Sequence, residues 1–309
     1  MTDRRFLPYL LLTLTVLFWS GNFVLGRGIR ELIPPVSLNF WRWAGALTIL
    51  LPIGLPRLWR QWPLVRRHWA FLVFMSIPSI AIFNAFIYKA LQTASTTNTV
   101  LVNAMIPIFI VVMAWAGFGE RLTLRQMMGV LISLTGLAFI ITRGHLTMLL
   151  ALQFSSGDLW TLGAGVSWAL YSVMLRRRPP EMDPIVFLTA IVMAGLVVLL
   201  PFYLWEVVRA GSFPIDWRAS ASLTYVAVFP SVLAYIFYNR GVAMIGAAKA
   251  GIFFHLMPVF SILLAFGLLG ERLAGFHLVG MALIFTGIAM TTINGLRGPQ
   301  ALPPAPSGS

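Results

Sequence analysis

Ten runs of predominantly apolar residues follow one another along the chain, separated only by short gaps. Each is about 20 residues long, which as a helix matches the hydrocarbon thickness of a bilayer. Inside a membrane an open backbone must satisfy its own hydrogen bonds, and a helix of this length does so. The sequence therefore predicts an all-α polytopic membrane protein with ten transmembrane helices. The runs lie at 7–27, 36–56, 69–91, 97–117, 124–142, 157–177, 184–205, 220–241, 250–270 and 275–294.

Composition excludes the main alternative classes. Of the 309 residues, 59% are hydrophobic and 10% are charged, whereas soluble domains carry about 25% charged residues. The net charge of +13 does not indicate nucleic-acid binding, because the basic residues occupy the gaps between apolar runs. The chain has no cysteine, which excludes disulfides and thiolate metal sites. We expect no cofactor, no metal and no nucleic-acid partner, only a small-molecule substrate and the lipid bilayer.

A repeated segment divides the chain into two halves. A proline, twelve residues and then Glu-Arg occur twice, 151 positions apart, from Pro107 to Arg121 and from Pro258 to Arg272. Internal repeats of this kind mark a duplicated structural unit. We predict a first five-helix repeat at 1–147, a second at 148–297, and a disordered Pro/Gly/Ser-rich tail at 298–309.

The distribution of basic residues predicts the orientation. Lys and Arg concentrate in cytoplasmic loops. With the N-terminus inside, fourteen of the 22 basic residues are cytoplasmic and seven are outside, and Arg42 lies within the second run. Both termini are therefore predicted to be cytoplasmic. Because five is an odd number of spans, the halves enter the membrane from opposite sides, which is the inverted repeat of many secondary transporters, around a central binding site.

Polar and aromatic side chains recur at matched positions of the two halves. Trp19 and Asn22 in the first run correspond to Trp168 and Tyr171 in the sixth, at an offset of 149. In the third and eighth runs, at an offset of 151, Asn84 corresponds to Tyr235 and Tyr88 to Asn239. Within each of these four runs the two residues are three or four positions apart, so they share one helix face. We predict that these residues border one aromatic, hydrogen-bonding and largely uncharged cavity. The set of candidate substrate-binding residues is Trp19, Asn22, Asn84, Tyr88, Asn103, Trp168, Tyr171, Tyr235, Tyr238, Asn239 and His255. The alternative is that they form interface belts or bridge helices.

Prolines and acidic residues suggest further roles. Pro107 and Pro258 interrupt predicted helices and are candidate hinges. Two pairs of glycines each put small residues on one helix face for close packing. They are Gly129 with Gly136 and Gly280 with Gly287. Glu120 and Glu271 precede helices and are predicted to cap them.

The positions of the acidic residues indicate whether transport is coupled to an ion. None of the nine acidic residues lies in the middle third of a run, whereas coupled carriers commonly use a buried carboxylate. We therefore favour facilitated transport without tight ion coupling. The alternative is proton coupling through His255, the one interior side chain that titrates near neutral pH.

The repeated proline-to-Glu-Arg segments, each followed by a glycine-rich helix, resemble the drug/metabolite transporter superfamily and its EamA-type exporters. The matching stretches run from Ala94 to Arg121 and from Ala247 to Arg272. The chain is most similar to the YddG-type exporters of aromatic and other neutral amino acids. That resemblance implies a basket of ten helices in the bacterial plasma (inner) membrane, with spans 1, 3, 4, 6, 8 and 9 around a central cavity. It leaves the oligomeric state open, a monomer included.

Two other functions agree less well with the sequence. The superfamily also contains nucleotide-sugar and phosphate-ester exchangers, which need cationic groups at the site. The candidates here, Arg42, Lys89, Arg240 and Lys249, are counted near span ends, which disfavours that function. A membrane enzyme is not expected, because the four histidines lie in separate segments and form no metal-ligand pair.

Overall fold

The computed structural model describes residues 3–29, 32–93, 102–103, 105–120, 122–145, 155–269 and 274–292. These residues are almost entirely helical and include no β-strand. A short helix, Trp62–Arg67, links the second and third main helices. The main helices of the described residues are α1 (Asp3–Ile29), α2 (Pro35–Arg60), α3 (69–93), α4 (Ile106–Phe118), α5 (Leu124–Ile141), α6 (Ser156–Met174), α7 (Pro184–Ala210), α8 (217–245), α9 (247–269) and α10 (Gly275–Thr292).

Within the described ranges, six helices are long and apolar enough to cross a membrane by length and composition. They are Trp69–Ala90, Leu124–Ile141, Pro184–Ala210, Trp217–Ile245, Ala247–Leu264 and Gly275–Thr292. These helices agree with the predicted all-helical polytopic membrane protein. That all ten helices cross the bilayer stays a prediction. The predicted disordered tail, 298–309, lies outside the described residues.

The helices pack in a pattern that relates the two halves. Helix α1 packs against α8 and α9, and its counterpart α6 packs against α3 and α4. Helix α2 packs against α7, and α5 packs against α10. Replacing every helix by the one five places away leaves this set of pairs unchanged. As a consequence, α1 and α6 each lie mainly among helices of the opposite half.

Glycines let α5 and α10 come into backbone contact. A Cβ at Gly129 would lie 2.5 Å from the carbonyl oxygen of Gly287, and one at Gly136 would lie 2.6 Å from that of Gly280. No larger side chain fits these distances without a shift of the helices. The predicted small-residue packing face is therefore confirmed.

Helices α3 and α8 each contain a π-helical segment near their middle. The segments are Ile77–Ile82 and Val228–Leu233, and their first residues are 228 − 77 = 151 positions apart. Each contains a proline, Pro78 or Pro230, which lacks the N–H that an α-helix requires. A π-turn accommodates such a break and leaves carbonyl oxygens available to side chains.

The expectation that Glu120 caps a helix is wrong. Glu120 does not cap α5: Thr123 does, in a capping box with Gln126, because a hydroxyl at that position reaches the free N–H groups of the first turn. Glu120 instead pairs with Arg176 at 2.7 Å. Glu271 lies outside the described residues.

The two candidate hinge prolines occupy different settings. Pro107 lies in the first turn of α4, where a missing N–H is tolerated. Pro258 lies within α9, directly after the 3-10 segment Ile252–His255 and two further residues. That either proline acts as a hinge stays a prediction.

Candidate functional site

Five aromatic side chains from α1, α6 and α8 meet between the two halves. We call Trp19, Trp168, Tyr171, Tyr235 and Tyr238 the aromatic cluster. Trp168 is at its centre: its ring centroid lies 4.9 Å from that of Trp19 and 5.2–5.4 Å from those of the three tyrosines. All five are buried, Trp19 being the most exposed at 6%. The sequence-predicted pairing of Trp19 with Trp168 thus corresponds to an edge-to-face contact across the halves.

Two of the tyrosine hydroxyls bind side chains of α6 and α8. The Tyr171 hydroxyl donates to Oδ1 of Asn239 at 2.8 Å, and the Tyr238 hydroxyl lies 2.7 Å from Oγ of Ser172. Asn239 is half-buried at the edge of the cluster. The cluster therefore combines aromatic faces with hydrogen-bonding groups.

The aromatic cluster is fixed to the π-helical segments of both halves. The Tyr235 hydroxyl of α8 donates to the carbonyl oxygen of Ser79 in α3 at 2.7 Å. Nε1 of Trp19 in α1 donates to the carbonyl oxygen of Pro230 in α8 at 3.0 Å. Both acceptors are carbonyls of the π segments. The proline breaks therefore supply the acceptors that orient two of the aromatic rings.

A buried arginine lies beside this cluster. Arg42 of α2 is 1% exposed, and its Nη1 donates to Oδ1 of Asn84 at 2.8 Å, to the Tyr88 hydroxyl at 3.1 Å and to Oδ1 of Asn22 at 3.5 Å. The Tyr88 hydroxyl also donates to Oδ1 of Asn22 at 3.1 Å. Arg42 thus gathers three predicted site residues from α1 and α3.

Arg42 also binds the second half. Its Nε donates to Oγ of Ser231 at 2.5 Å and its Nη2 to the carbonyl oxygen of Pro230 at 3.0 Å. Pro230 is the residue whose carbonyl also accepts from Trp19. We call Arg42 with Asn22, Asn84, Tyr88, Ser231 and Pro230 the Arg42 network. It is contiguous with the aromatic cluster through the shared carbonyl.

Nine of the eleven predicted site residues lie in these two groups or, as with Asn239, at their edge. His255 is fully buried and its Nδ1 lies 2.5 Å from Oγ of Ser133 in α5. Its neighbour Phe254 contacts the cluster, with ring centroids 5.3 Å from Trp19. Asn103 is buried before α4, and within the described residues no hydrogen bond joins it to the other ten.

Arg42 is the site residue that sequence reasoning set aside. It was counted near a span end, yet it lies at the centre of a network of predicted residues. The available signal was its position inside an apolar run, because a charged residue within a span usually faces the bundle interior. Its partner Ser231 follows Pro230 as Ser79 follows Pro78, 230 − 78 = 152 positions earlier, and this recurrence was not among the matched polar pairs.

Among the residues that the structure describes, no three His, Cys, Asp or Glu side chains form a group that could hold a metal ion. The site consists of aromatic rings, neutral hydrogen-bonding groups and one guanidinium. Such a set can bind and orient a small molecule.

Known proteins share this fold and sequence pattern. A solved crystal structure matches with a TM-score of 0.75 and 22% identity, covering 94% of this chain and 98% of its own; at that identity the likeness shows the fold alone. An uncharacterized transporter of Bacillus subtilis (strain 168), YyaM, is 28% identical over 94% of this chain and 95% of its own. A probable amino-acid metabolite efflux pump of Escherichia coli (strain K12) is 26% identical over 60% of this chain and 63% of its own.

The family assignment follows from both halves. The sequence profile described as the EamA-like transporter family matches twice, over residues 6–142 and 155–293. These two matches cover most of the chain, including every member of the aromatic cluster and of the Arg42 network. The protein therefore belongs to the EamA-like transporter family of the drug/metabolite transporter superfamily and is a membrane transporter.

Proposed function

We propose that this transporter exports small neutral or zwitterionic metabolites, amino acids including aromatic ones among them, across a bacterial plasma membrane by alternating access. The observation that carries the proposal is the aromatic cluster between the halves. Its five rings offer apolar faces, and its hydroxyl and indole groups offer hydrogen bonds. That combination suits a ligand with an aromatic or apolar body and a polar head.

Access to the cluster requires movement of the helices. The five rings are between 0% and 6% exposed, so in this conformation they contact protein on nearly every side. The packing of α1 and α6 among helices of the opposite half supports a rocking movement of one half against the other. In such a movement α1 would carry Trp19 with it and α6 would carry Trp168. In an inverted repeat such a movement opens the site to one side at a time.

The predicted cytoplasmic placement of both termini belongs to this arrangement. A reporter fused to the C-terminus that is active only outside the cell would contradict this placement.

The lack of acids at the site favours facilitated export. Within the described residues no carboxylate forms a hydrogen bond or an ion pair with the aromatic cluster or the Arg42 network. The alternative, a proton-coupled exporter, would use His255 with Ser133, which lies on the α5 side of α9.

Two comparisons support an amino-acid-like substrate. Two relatives, one of Escherichia coli (strain K12) and one of Salmonella typhimurium, carry the name of a probable amino-acid metabolite efflux pump. The exchange of nucleotide-sugars or phosphate esters is less well supported, because most of the candidate cations are not buried at the site. Lys89 and Arg240 are exposed, and Lys249 is half-buried. Arg42 alone would face a multiply charged phosphate.

Uptake into liposomes tests the proposal. The purified protein would be reconstituted and supplied with a panel of labelled amino acids, with and without an imposed pH gradient. We expect downhill flux of aromatic and other neutral amino acids that needs no pH gradient. The variant Trp168→Ala should lose most of this flux, while Trp160→Ala, which alters a more exposed tryptophan of the same helix, should keep it. Equal flux in both variants, or no amino-acid flux in the parent protein, would contradict the proposal.

A further inference from the structure

Among the residues that the structure describes, the charge of Arg42 is compensated by neutral groups alone. An arginine side chain keeps its positive charge in proteins, and buried charges are ordinarily paired with an opposite charge. All of its acceptors are amide, hydroxyl or carbonyl oxygens. Within the described residues, neither ion pair includes Arg42; they join Arg57 to Asp183 and Arg176 to Glu120.

The guanidinium is also unevenly supplied with acceptors. Counted over the described part of the chain, Nη1 has two hydrogens for three acceptors, whereas Nη2 has two hydrogens and one acceptor, the carbonyl oxygen of Pro230. The longest of the contacts, 3.5 Å to Asn22, is replaceable, because Asn22 and Tyr88 already hydrogen-bond each other at 3.1 Å. An incoming acceptor could therefore take over the Asn22 and Tyr88 contacts without leaving either of them unsatisfied.

The position of Arg42 places this charge at the polar edge of the aromatic cluster. Arg42 and Trp19 donate to the same carbonyl oxygen, each at 3.0 Å. The guanidinium carbon lies 5.3 Å from the ring of Trp43, which is itself in edge-to-face contact with Tyr235 at 4.8 Å. A ligand whose apolar body lay among the rings would have its head within reach of the guanidinium.

We propose that Arg42 binds the carboxylate of the transported molecule, so that the substrates are monocarboxylates of the amino-acid type. This assignment deepens the proposed function and depends on it for the location of the site. A carboxylate matches the planar fork of a guanidinium and forms charge-assisted hydrogen bonds with it. A single guanidinium balances one carboxylate, which favours a substrate with one acidic group over a phosphate ester.

Matched acid and amide probes test the assignment in the unmodified protein. Phenylalanine, 3-phenylpropionate and phenylalaninamide share one aromatic body, and only the amide lacks a carboxylate. Dissociation constants would be measured by calorimetry on the purified full-length protein in lipid nanodiscs. We expect phenylalanine and 3-phenylpropionate to bind about 10- to 100-fold more tightly than the amide, the range expected for hydrogen bonds to a charged group.

Three variants show whether Arg42 causes that preference. Arg42→Gln should weaken both carboxylate probes by about 10- to 100-fold and leave the amide unchanged or bound more tightly. Arg42→Lys should keep part of the preference. Arg240→Gln, which removes an exposed cation of α8, should bind all three probes as the parent does. Gel filtration and thermal unfolding would establish that each variant is folded, and the comparison within the parent protein does not depend on them.

The outcomes separate this assignment from the proposed function. If phenylalanine and its amide bind equally to the parent protein, or if Arg42→Gln weakens all probes alike, Arg42 holds the helices together and binds no carboxylate, although amino-acid export would stand. If the carboxylates bind through Arg42 but no amino acid is transported, the assignment stands and the proposed function fails. Binding of none of the carboxylates overturns the assignment as well.

Discussion

The π-helical segments of α3 and α8 share a backbone form but differ in the side chains that bind them. In α3, neutral groups donate to the carbonyls: Oγ of Ser167 to Pro78, the Tyr235 hydroxyl to Ser79 and Nδ2 of Asn39 to Ile80, at 2.5–3.0 Å. In α8, the carbonyl of Pro230 and the hydroxyl of Ser231 accept from a cation, Arg42. The π segment of α8 is therefore bound by a cation, whereas the π segment of α3 is bound by neutral groups.

The difference originates in α2 and α7. Both helices begin with a proline, Pro35 and Pro184, an offset of 184 − 35 = 149. At that offset Asn39 corresponds to Leu188 and Arg42 to Ile191, and both counterparts are fully buried and apolar. A duplicated scaffold thus places a cation, Arg42, on one side of the aromatic cluster, whereas the matched position on the other side is the apolar Ile191. Such an arrangement can orient a ligand that has a polar head and an apolar body.

The strongest test of this asymmetry is to place a cation at the matched position of the other half. Ile191→Arg should destabilise the protein by about 3–5 kcal/mol, because a buried charge without built acceptors is left uncompensated. Ile191→Met keeps an apolar side chain of similar size and should cost less than about 1.5 kcal/mol. Thermal unfolding in detergent compares the two. If Ile191→Arg were as stable as Ile191→Met, the neutral acceptors around Arg42 would not be a special feature of the first half.

A smaller effect is expected from removing one donor at each π segment. Tyr235→Phe leaves the carbonyl of Ser79 without the hydroxyl that binds it, and an unsatisfied buried acceptor costs about 1–3 kcal/mol. Trp19→Phe also removes a hydrogen bond, but the carbonyl of Pro230 keeps Arg42. We expect a loss of about 0.5–1.5 kcal/mol for that variant. Chemical denaturation of both would show the order, and a larger loss for Trp19→Phe would contradict it.

The smallest effect is expected at a surface cation. Arg176 pairs with Glu120 at 2.7 Å while both side chains are partly exposed, at 43% and 30%. Exposed ion pairs contribute about 0–1 kcal/mol, so Arg176→Gln should leave stability and ligand binding nearly unchanged. Parallel measurements on Arg42→Gln supply the contrast. A loss of binding in Arg176→Gln equal to that in Arg42→Gln would mean that net charge, rather than position, governs affinity.

The repeat made much of this arrangement predictable. Matching Trp19 with Trp168 along the sequence identified two rings that the fold brings into contact, because duplication places equivalent residues on equivalent helix faces. Hydropathy located the helices, because a helix that crosses a bilayer needs an apolar run of about 20 residues. The small residues of α5 and α10 likewise carry their packing role in their spacing.

Other features depend on contacts that the sequence does not display. Pro78 and Pro230 mark irregular backbone, but which side chains bind the freed carbonyls is decided by neighbouring helices. Counting residues placed Arg42 near a span end, whereas its burial results from the approach of α8, which supplies Ser231. The contact between His255 and Ser133 of α5 likewise requires the packing of distant segments.

A distance between the ligand carboxylate and the guanidinium tests the central claim most directly. The protein would be labelled with ¹⁵N at arginine, reconstituted in liposomes and frozen with phenylalanine carrying ¹³C in its carboxyl group, for solid-state NMR dipolar measurements. A hydrogen-bonded pair predicts a carbon-to-nitrogen distance of about 4 Å, and the coupling should vanish in Arg42→Lys. Bound phenylalanine without such a coupling in the parent protein, or with the same coupling in Arg42→Lys, would contradict the claim.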